Sequence, residues 1–124
     1  MSRNLILVVD DNDINLKVVR IALTVAGFDV HTAIDAETAL ALVAKVCPHL
    51  ILMDLQLPGM DGLELTRRLK ADPMTTSTII VAVTAYAMKG DRQRALDAGC
   101  DGYLTKPLNT RTLAATVAGY LEAA

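Results

Sequence analysis

Short apolar runs alternate regularly with segments of helical periodicity along this chain, and this alternation constrains the fold more than any other feature. Five runs predict strands, namely Leu5–Val9, Asp29–Ala33, Leu50–Met53, Ile79–Val83 and Gly102–Leu104. Five further segments predict helices, namely Asn15–Ala26, Ala36–Val46, Leu63–Ala71, Lys89–Ala98 and Arg111–Glu122. Strands joined by helical crossovers form parallel βαβ units. We therefore expect an α/β fold with a doubly wound, five-stranded parallel sheet and helices on both faces.

Length and composition narrow the class of protein further. A chain of 124 residues corresponds to about one domain, so we expect residues 1–124 to fold as one unit. The aromatic content of 3% and the net charge of −2 argue against a nucleic-acid partner. Every apolar stretch is shorter than the roughly 18 residues that a membrane span needs, so we expect no membrane insertion and a cytoplasmic location. Cys47 and Cys100 lack metal-binding spacing and are expected to be reduced thiols.

Polar side chains follow four of the five predicted strands where each strand ends. Asp10 and Asp11 follow the first strand, Asp54 the third, Thr84 the fourth and Lys106 the fifth. The carboxyl ends of parallel strands meet at one edge of a sheet, where ligands bind. Three carboxylates gathered there repel one another unless a hard cation such as Mg²⁺ binds their oxygens. A nucleophilic carboxylate, a lysine and a hydroxyl beside a metal fit phosphoryl chemistry.

Each of these residues also has an ordinary structural explanation. Asp10 and Asp11 precede a helix and could be capping acids, while Thr84 could be a strand-end hydroxyl and Lys106 a solvated lysine. Those explanations treat the residues separately. They leave the meeting of all five at one edge unexplained, and we therefore favour a functional site.

The stretches LILVVDDNDIN, LILMDLQLPGMDGLE, VAVTAYA and GCDGYLTKPL resemble the receiver domains of two-component response regulators. The resemblance extends from Leu5 to Leu121 and implies the flavodoxin-like strand order 2-1-3-4-5. Within the family, the sequence is most similar to single-domain cell-division regulators of the DivK type and to receivers of hybrid kinases. The resemblance thus implies a phosphorelay switch without an effector domain, which signals by binding a downstream protein.

The resemblance also assigns a phosphoacceptor and a metal site. It implies that Asp54 accepts a phosphoryl group from a phosphohistidine on a histidine kinase or a histidine phosphotransfer protein. Asp11, Asp54 and the backbone carbonyl of Gln56 would bind Mg²⁺, and Asp10 would hold the ion through water. The chemistry would be self-directed phosphotransfer and autodephosphorylation, so the chain would not be an enzyme acting on other substrates.

Further roles implied by the resemblance concern the phosphoryl group and the switch. Lys106 and Thr84 would contact the phosphoryl oxygens. Tyr103 would be the switch aromatic and would act together with Thr84. The output surface would be the fourth helix, the fifth strand and the fifth helix. Lys106–Pro107 is similar to the family's cis peptide, which proline makes tolerable.

Two alternative functions are weaker. A phosphohydrolase of the haloacid dehalogenase type also uses an aspartate nucleophile, Mg²⁺, a hydroxyl and a lysine. However, its nucleophile lies on an early DxD strand, whereas Asp54 has Gln56 at that spacing. A pseudo-receiver acting as a scaffold should lack one of the edge residues, and none is lost.

The first predicted helix carries more apolar residues than a core stripe needs. At about 100° per residue, its core face is Leu16, Val19, Leu23 and Ala26, while Ile14, Val18, Ile21 and Val25 lie at the boundary. Surplus apolar surface beside the acidic edge predicts a partner docking site at Ile14 and Val18. Ordinary packing against a neighbouring helix is an alternative, especially for Ile21 and Val25.

Overall fold

The sheet is built from five parallel strands. The protein is represented by a computed structural model, which describes residues 4–57, 59–60, 62–85 and 90–123. The strands are β1 (Leu5–Val9), β2 (Asp29–Ala33), β3 (Leu50–Asp54), β4 (Ile79–Thr84) and β5 (Gly102–Thr105). The helices are α1 (Asp13–Val25), α2 (Ala36–Val46), α3 (Gly62–Ala71), α4 (Asp91–Ala98) and α5 (Leu113–Ala123). The strands lie in the order β2-β1-β3-β4-β5, so the predicted fold class and strand order are confirmed.

Alternate strand residues supply two separate cores, one on each face of the sheet. One core joins Leu7, Ile51 and Ile80 to buried side chains of α2, α3 and α4. The other joins Ile6, Leu52 and Val81 to buried side chains of α1 and α5. Because both faces are covered, β3 and β4 are buried along their whole length. The rigid sheet therefore fixes the positions of the residues at its carboxyl edge.

Helix α1 is displaced from its predicted boundaries toward the N-terminus. It begins at Asp13 because the Asn12 side chain accepts a hydrogen bond from the Asn15 backbone N–H, at 3.0 Å. It ends at Val25, so Ala26 is exposed and does not belong to the core face. The prediction was wrong at this end because the turn at Gly27, with φ of +101°, starts earlier than the apolar periodicity indicates.

Helix α2 has its predicted bounds, and Asp35 caps it by accepting from the Thr38 N–H at 2.8 Å. Helix α5 starts at Leu113, two residues later than predicted, because Asn109 caps a turn ahead of the helix. The Asn109 side chain accepts from the Arg111 N–H at 3.0 Å. The predicted start of the fourth helix at Lys89 lies outside the described residues.

Both cysteines are free, as expected, with Cys47 exposed and Cys100 buried. Within the described ranges, each helix is too short or too polar to cross a bilayer.

Candidate functional site

Three carboxylates meet at the carboxyl edge of the sheet. Asp10 directly follows β1, and Asp54 is the last residue of β3, where it pairs with Val83 of β4. One oxygen each from Asp10, Asp11 and Asp54 lie within 4.8 Å of one another. Asp10 and Asp54 are buried, whereas Asp11 is exposed to solvent. The sheet order thus brings together acids that are 44 residues apart in the sequence, since Asp54 follows Asp10 by that number.

This donor set suits a small divalent cation. Mg²⁺ takes oxygen ligands at about 2.0–2.1 Å, so ligands on opposite sides of the ion are about 4.2 Å apart. The observed separation of at most 4.8 Å is close to that value. Asp10, Asp11 and Asp54 could therefore hold the ion after a small approach of their side chains.

Lys106 connects the two buried acids. Its Nζ lies 2.9 Å from Oδ2 of Asp10 and 3.1 Å from Oδ2 of Asp54. Burial lowers the pKa of Lys106, but its hydrogen bonds to both carboxylates, and their charges, outweigh that effect and raise it overall. The lysine is thus held in its charged form, close to where an anion bound to Asp54 would lie. The Lys106–Pro107 peptide bond is cis.

Asp54 lies in an environment that disfavours its ionised form. Only 2% of the residue is exposed, and this burial raises the pKa of the carboxyl group. The Gln56 N–H, which donates to Oδ1 at 2.9 Å, and Lys106 lower the pKa, while the charge of Asp10 raises it. The balance is upward. The surroundings of Asp54 therefore favour its protonated form more than water does.

Thr84 ends β4 with its side chain fully buried beside the acids. Its backbone carbonyl accepts from the Lys106 N–H at 2.8 Å, which fixes the loop after β5 to the end of β4. Its hydroxyl oxygen lies 2.8 Å from Nε2 and 3.1 Å from Oε1 of Gln56. Sequence reasoning considered only the backbone carbonyl of Gln56. The side-chain contact spans 28 residues and had no signal in the sequence beyond proximity to Asp54.

The loop after β3 approaches α3 unusually closely. A Cβ at Gly62, the first residue of α3, would lie 2.4 Å from the backbone oxygen of Asp54 and 2.9 Å from Cα of Leu55. Both atoms belong to the backbone and cannot move aside easily. Glycine is therefore required here for α3 to start directly against the carboxyl end of β3, a role that sequence reasoning also missed.

Tyr103 lies on the side of β5 that faces α4. It is half-buried and packs against the core that contains Ala95. Its partial burial, and then the negative charge of Asp91 at the start of α4, raise the pKa of the Tyr103 hydroxyl. Asp91 is itself buried and forms an ion pair with Arg94. The tyrosine thus packs where β5 and α4 meet.

Helix α1 presents an apolar stripe to solvent. Ile14, Val18, Ile21 and Val25 are 73%, 46%, 55% and 83% exposed, whereas Leu16, Val19 and Leu23 are buried. The spacing of four, three and four residues places the exposed four on one side of the helix. Packing against a neighbouring helix does not account for this stripe, including at Ile21 and Val25.

A groove of about 380 Å³ separates α1 from the loop after β5. Its lining combines part of the stripe with residues of the acidic site, including Asp10, Val18, Lys106, Pro107 and Leu108. The exposed apolar surface of α1 is therefore continuous with the edge of the sheet where the carboxylates meet.

Residues 6–118 match the family described as the response regulator receiver domain. The chain is 43% identical over 112 residues to the response regulator PleD of Caulobacter vibrioides, covering 90% of this chain and 25% of PleD. It therefore spans a quarter of the length of that relative. It is 38% identical over 116 residues to the polar-differentiation response regulator DivK of Brucella anthropi, covering 94% of both chains.

Solved structures give the same relationship. A CheY-like receiver domain protein from Methanospirillum hungatei superposes with a TM-score of 0.91 at 31% identity, covering 98% of this chain and 96% of that one. The chemotaxis protein CheY4 of Vibrio cholerae gives a TM-score of 0.91 at 29% identity, with 96% and 99% coverage. The fold, the match along 6–118 and these relatives together establish that the chain belongs to the response regulator receiver domains of two-component signalling.

Proposed function

We propose that the chain is a phosphorelay switch whose phosphoacceptor is Asp54. The observation that carries this proposal is the position of Asp54, a buried carboxylate within 4.8 Å of two further acids and paired with Lys106 at 3.1 Å. A carboxylate held beside a cation site and a fixed ammonium group has the environment that an attack on phosphorus requires.

The reaction forms one bond and breaks one. A carboxylate oxygen of Asp54 attacks the phosphorus of a phosphohistidine, a P–O bond forms and the P–N bond breaks. The imidazole nitrogen keeps the bonding electron pair and is protonated from solvent. Autodephosphorylation is the later attack of water on the same phosphorus, which returns the carboxylate and releases inorganic phosphate.

Other residues around Asp54 would stabilise the charge of the phosphoryl group. Mg²⁺, held directly by Asp11, Asp54 and the backbone carbonyl of Gln56 and through water by Asp10, would neutralise charge on the phosphoryl oxygens. Lys106 is already within hydrogen-bond distance of Asp54 and would follow the phosphoryl group as a second positive charge. The Thr84 hydroxyl would donate to a phosphoryl oxygen once the group is attached.

We further propose that the phosphohistidine partner, a histidine kinase or a histidine phosphotransfer protein, docks on α1. Ile14 and Val18 are exposed, and Val18 lines the groove that leads to Asp10 and Lys106. An apolar helix face on the partner would cover them and bring its phosphohistidine to the edge of the sheet. Ile21 and Val25 extend the same stripe and would lengthen that contact.

The proposed output surface consists of α4, β5 and α5, through which the receiver would bind a downstream protein. Helix α4 has only eight residues, and its buried apolar anchors are the small Ala95 and Ala98. Leu96, a larger apolar residue of the same helix, is 41% exposed. A weakly anchored helix beside Tyr103 can shift at low free-energy cost when Thr84 moves.

Acetyl phosphate tests the phosphoacceptor. The wild-type protein with Mg²⁺ is expected to gain the mass of one phosphoryl group, and Asp54→Asn to gain none, because its amide cannot attack phosphorus. Asp13→Asn is a matched control, since Asp13 is an exposed acid in the first turn of α1. Full phosphorylation of the Asp54→Asn protein would overturn the assignment.

Hydrogen exchange tests the output surface. Beryllofluoride, a phosphoryl mimic, is expected to change amide protection from Thr84 to Ala98 and at Tyr103. Unchanged protection in protein with saturated Asp54 would refute the proposed coupling to α4.

A further inference from the structure

We propose that the Gln56 side chain is a latch that holds Thr84 in its unphosphorylated position. This inference rests on the proposed role of Asp54 as phosphoacceptor. Its basis is the close pairing of the Gln56 amide with the Thr84 hydroxyl, whose oxygen lies 2.8 Å from Nε2 and 3.1 Å from Oε1. Gln56 is thereby a positioning residue for the switch, in addition to the metal contact assigned to its backbone.

Thr84 has to give up its contact with the Gln56 amide before it can move to donate to a phosphoryl oxygen. A threonine hydroxyl has a single hydrogen, which it can donate to one acceptor with good geometry. Where that hydrogen is donated to Oε1 of Gln56, it is not available to a phosphoryl oxygen on Asp54. Where Nε2–H instead donates to the hydroxyl at 2.8 Å, that hydrogen bond is lost when the hydroxyl moves toward the phosphoryl group.

The buried location of the pair matters when the Thr84 hydroxyl changes its hydrogen-bond partner. Thr84 is fully buried, so its hydroxyl cannot simply turn toward bulk water when it leaves Gln56. The Gln56 N–H meanwhile donates to Oδ1 of Asp54 at 2.9 Å. One residue therefore contacts the reactive carboxylate through its backbone and the switch hydroxyl through its side chain, and attachment of a phosphoryl group changes both contacts.

The latch lowers the population of the active arrangement before phosphorylation. Removing the amide while keeping the chain length, as in Gln56→Met, should shift the equilibrium toward the active arrangement by roughly 2- to 12-fold, the value of one neutral hydrogen bond. A ligand that prefers the active arrangement then binds more tightly by up to the same factor.

Beryllofluoride binding in Mg²⁺ measures this shift. Gln56→Met is expected to tighten the apparent affinity at least twofold, and Gln56→Ala provides a second variant if the first does not fold. Without beryllofluoride, the Thr84 and Tyr103 amide resonances of the variant are expected to move part of the way toward their positions in the saturated wild-type protein. An unchanged or weakened affinity, or unmoved resonances, would overturn the latch.

The Thr84→Val background distinguishes a latch from a general structural effect. Valine keeps the shape of the threonine side chain but has no hydroxyl, so Gln56→Met should lose its effect in this background. Equal tightening with and without the hydroxyl would refute the latch while leaving Asp54 as the phosphoacceptor. If the wild-type protein binds no beryllofluoride and acetyl phosphate does not modify Asp54, the proposed function fails and the latch fails with it.

Discussion

Replacing Asp11 with asparagine is expected to make the metal-free protein more stable than wild type. At saturating Mg²⁺, the same variant is expected to be less stable than wild type. Asp11 supplies one of three carboxylate oxygens that lie within 4.8 Å of one another, and the Lys106 ammonium is bonded to the other two acids. The four groups sum to a charge of −2. Asparagine keeps the size of the side chain and removes one of the negative charges.

The magnitude follows from the distances and from the exposure of Asp11. At 4.8 Å, two unit charges interact by about 0.9 kcal/mol in water and about 3.5 kcal/mol at an effective dielectric constant of 20. Asp11 is exposed, which favours the lower value. Its repulsion by two carboxylates is partly cancelled by Lys106, so the net gain on removal is about 1 kcal/mol. For a chain of this size, that corresponds to a rise in Tm of roughly 3 to 5 °C.

Thermal unfolding with and without Mg²⁺ tests both halves of the prediction. Mg²⁺ bound at the proposed site would stabilise the wild-type protein by about 2.7 kcal/mol at a concentration 100 times its dissociation constant. Asp11→Asn should gain much less, because it would lack one of the proposed ligands. Asp13→Asn is the matched control and should respond to Mg²⁺ like wild type, since Asp13 lies outside the carboxylate cluster in the first turn of α1. Added monovalent salt should reduce the metal-free difference by screening.

Two results would contradict this reasoning. A metal-free Asp11→Asn protein less stable than wild type would mean that the carboxylate stabilises the fold through contacts other than the cluster. Equal stabilisation of both proteins by Mg²⁺ would remove Asp11 from the ligand set.

Three further predictions concern other parts of the site. Asp54→Asn should gain stability relative to wild type as the pH rises from below 3.8 through the raised pKa of Asp54. The reason is that the native wild-type protein holds the Asp54 proton more tightly than the unfolded chain does, so wild type loses stability over this range. A stability difference that stays constant with pH in chemical unfolding would contradict this. Gly62→Ala should destabilise the fold by about 1 to 3 kcal/mol through overpacking against the Asp54 backbone, measured by urea unfolding; a neutral substitution would exclude the close approach. Ile14→Ala combined with Val18→Ala should slow transfer from a phosphohistidine protein far more than transfer from acetyl phosphate, and equal slowing in the two assays would exclude docking there.

The elements of the fold were predictable because the two features that determine them, hydrophobic periodicity and helix caps, are local in the sequence. Periodicity distinguishes the strands from the helices, and caps such as Asp35 act within three residues of the chain. The ends of the elements were less predictable. Asn109 resembles a helix cap in sequence, yet its side chain caps a turn that ends before α5 begins at Leu113. An asparagine side chain can satisfy either arrangement.

The residues of the site were predictable in part for a topological reason. Parallel strands place their carboxyl ends at one edge, so Asp10, Asp54 and Lys106 come together whenever the strand assignment is right. Contacts between side chains at that edge depend on rotamers and on loop paths instead. The pairing of Gln56 with Thr84 and the approach of Gly62 to Asp54 belong to this second class.

The two classes of contact also differ in what they can do. Contacts fixed by topology, such as the Lys106 N–H to the Thr84 carbonyl at 2.8 Å, join backbone atoms of the sheet edge and persist in both states of a switch. Side-chain contacts at the same edge can exchange partners without disturbing the sheet. Thr84 has both kinds, a backbone carbonyl held by Lys106 and a hydroxyl that contacts the Gln56 amide. This combination would allow the proposed phosphorylation of Asp54 to alter the surface near α4 while the five strands stay in place.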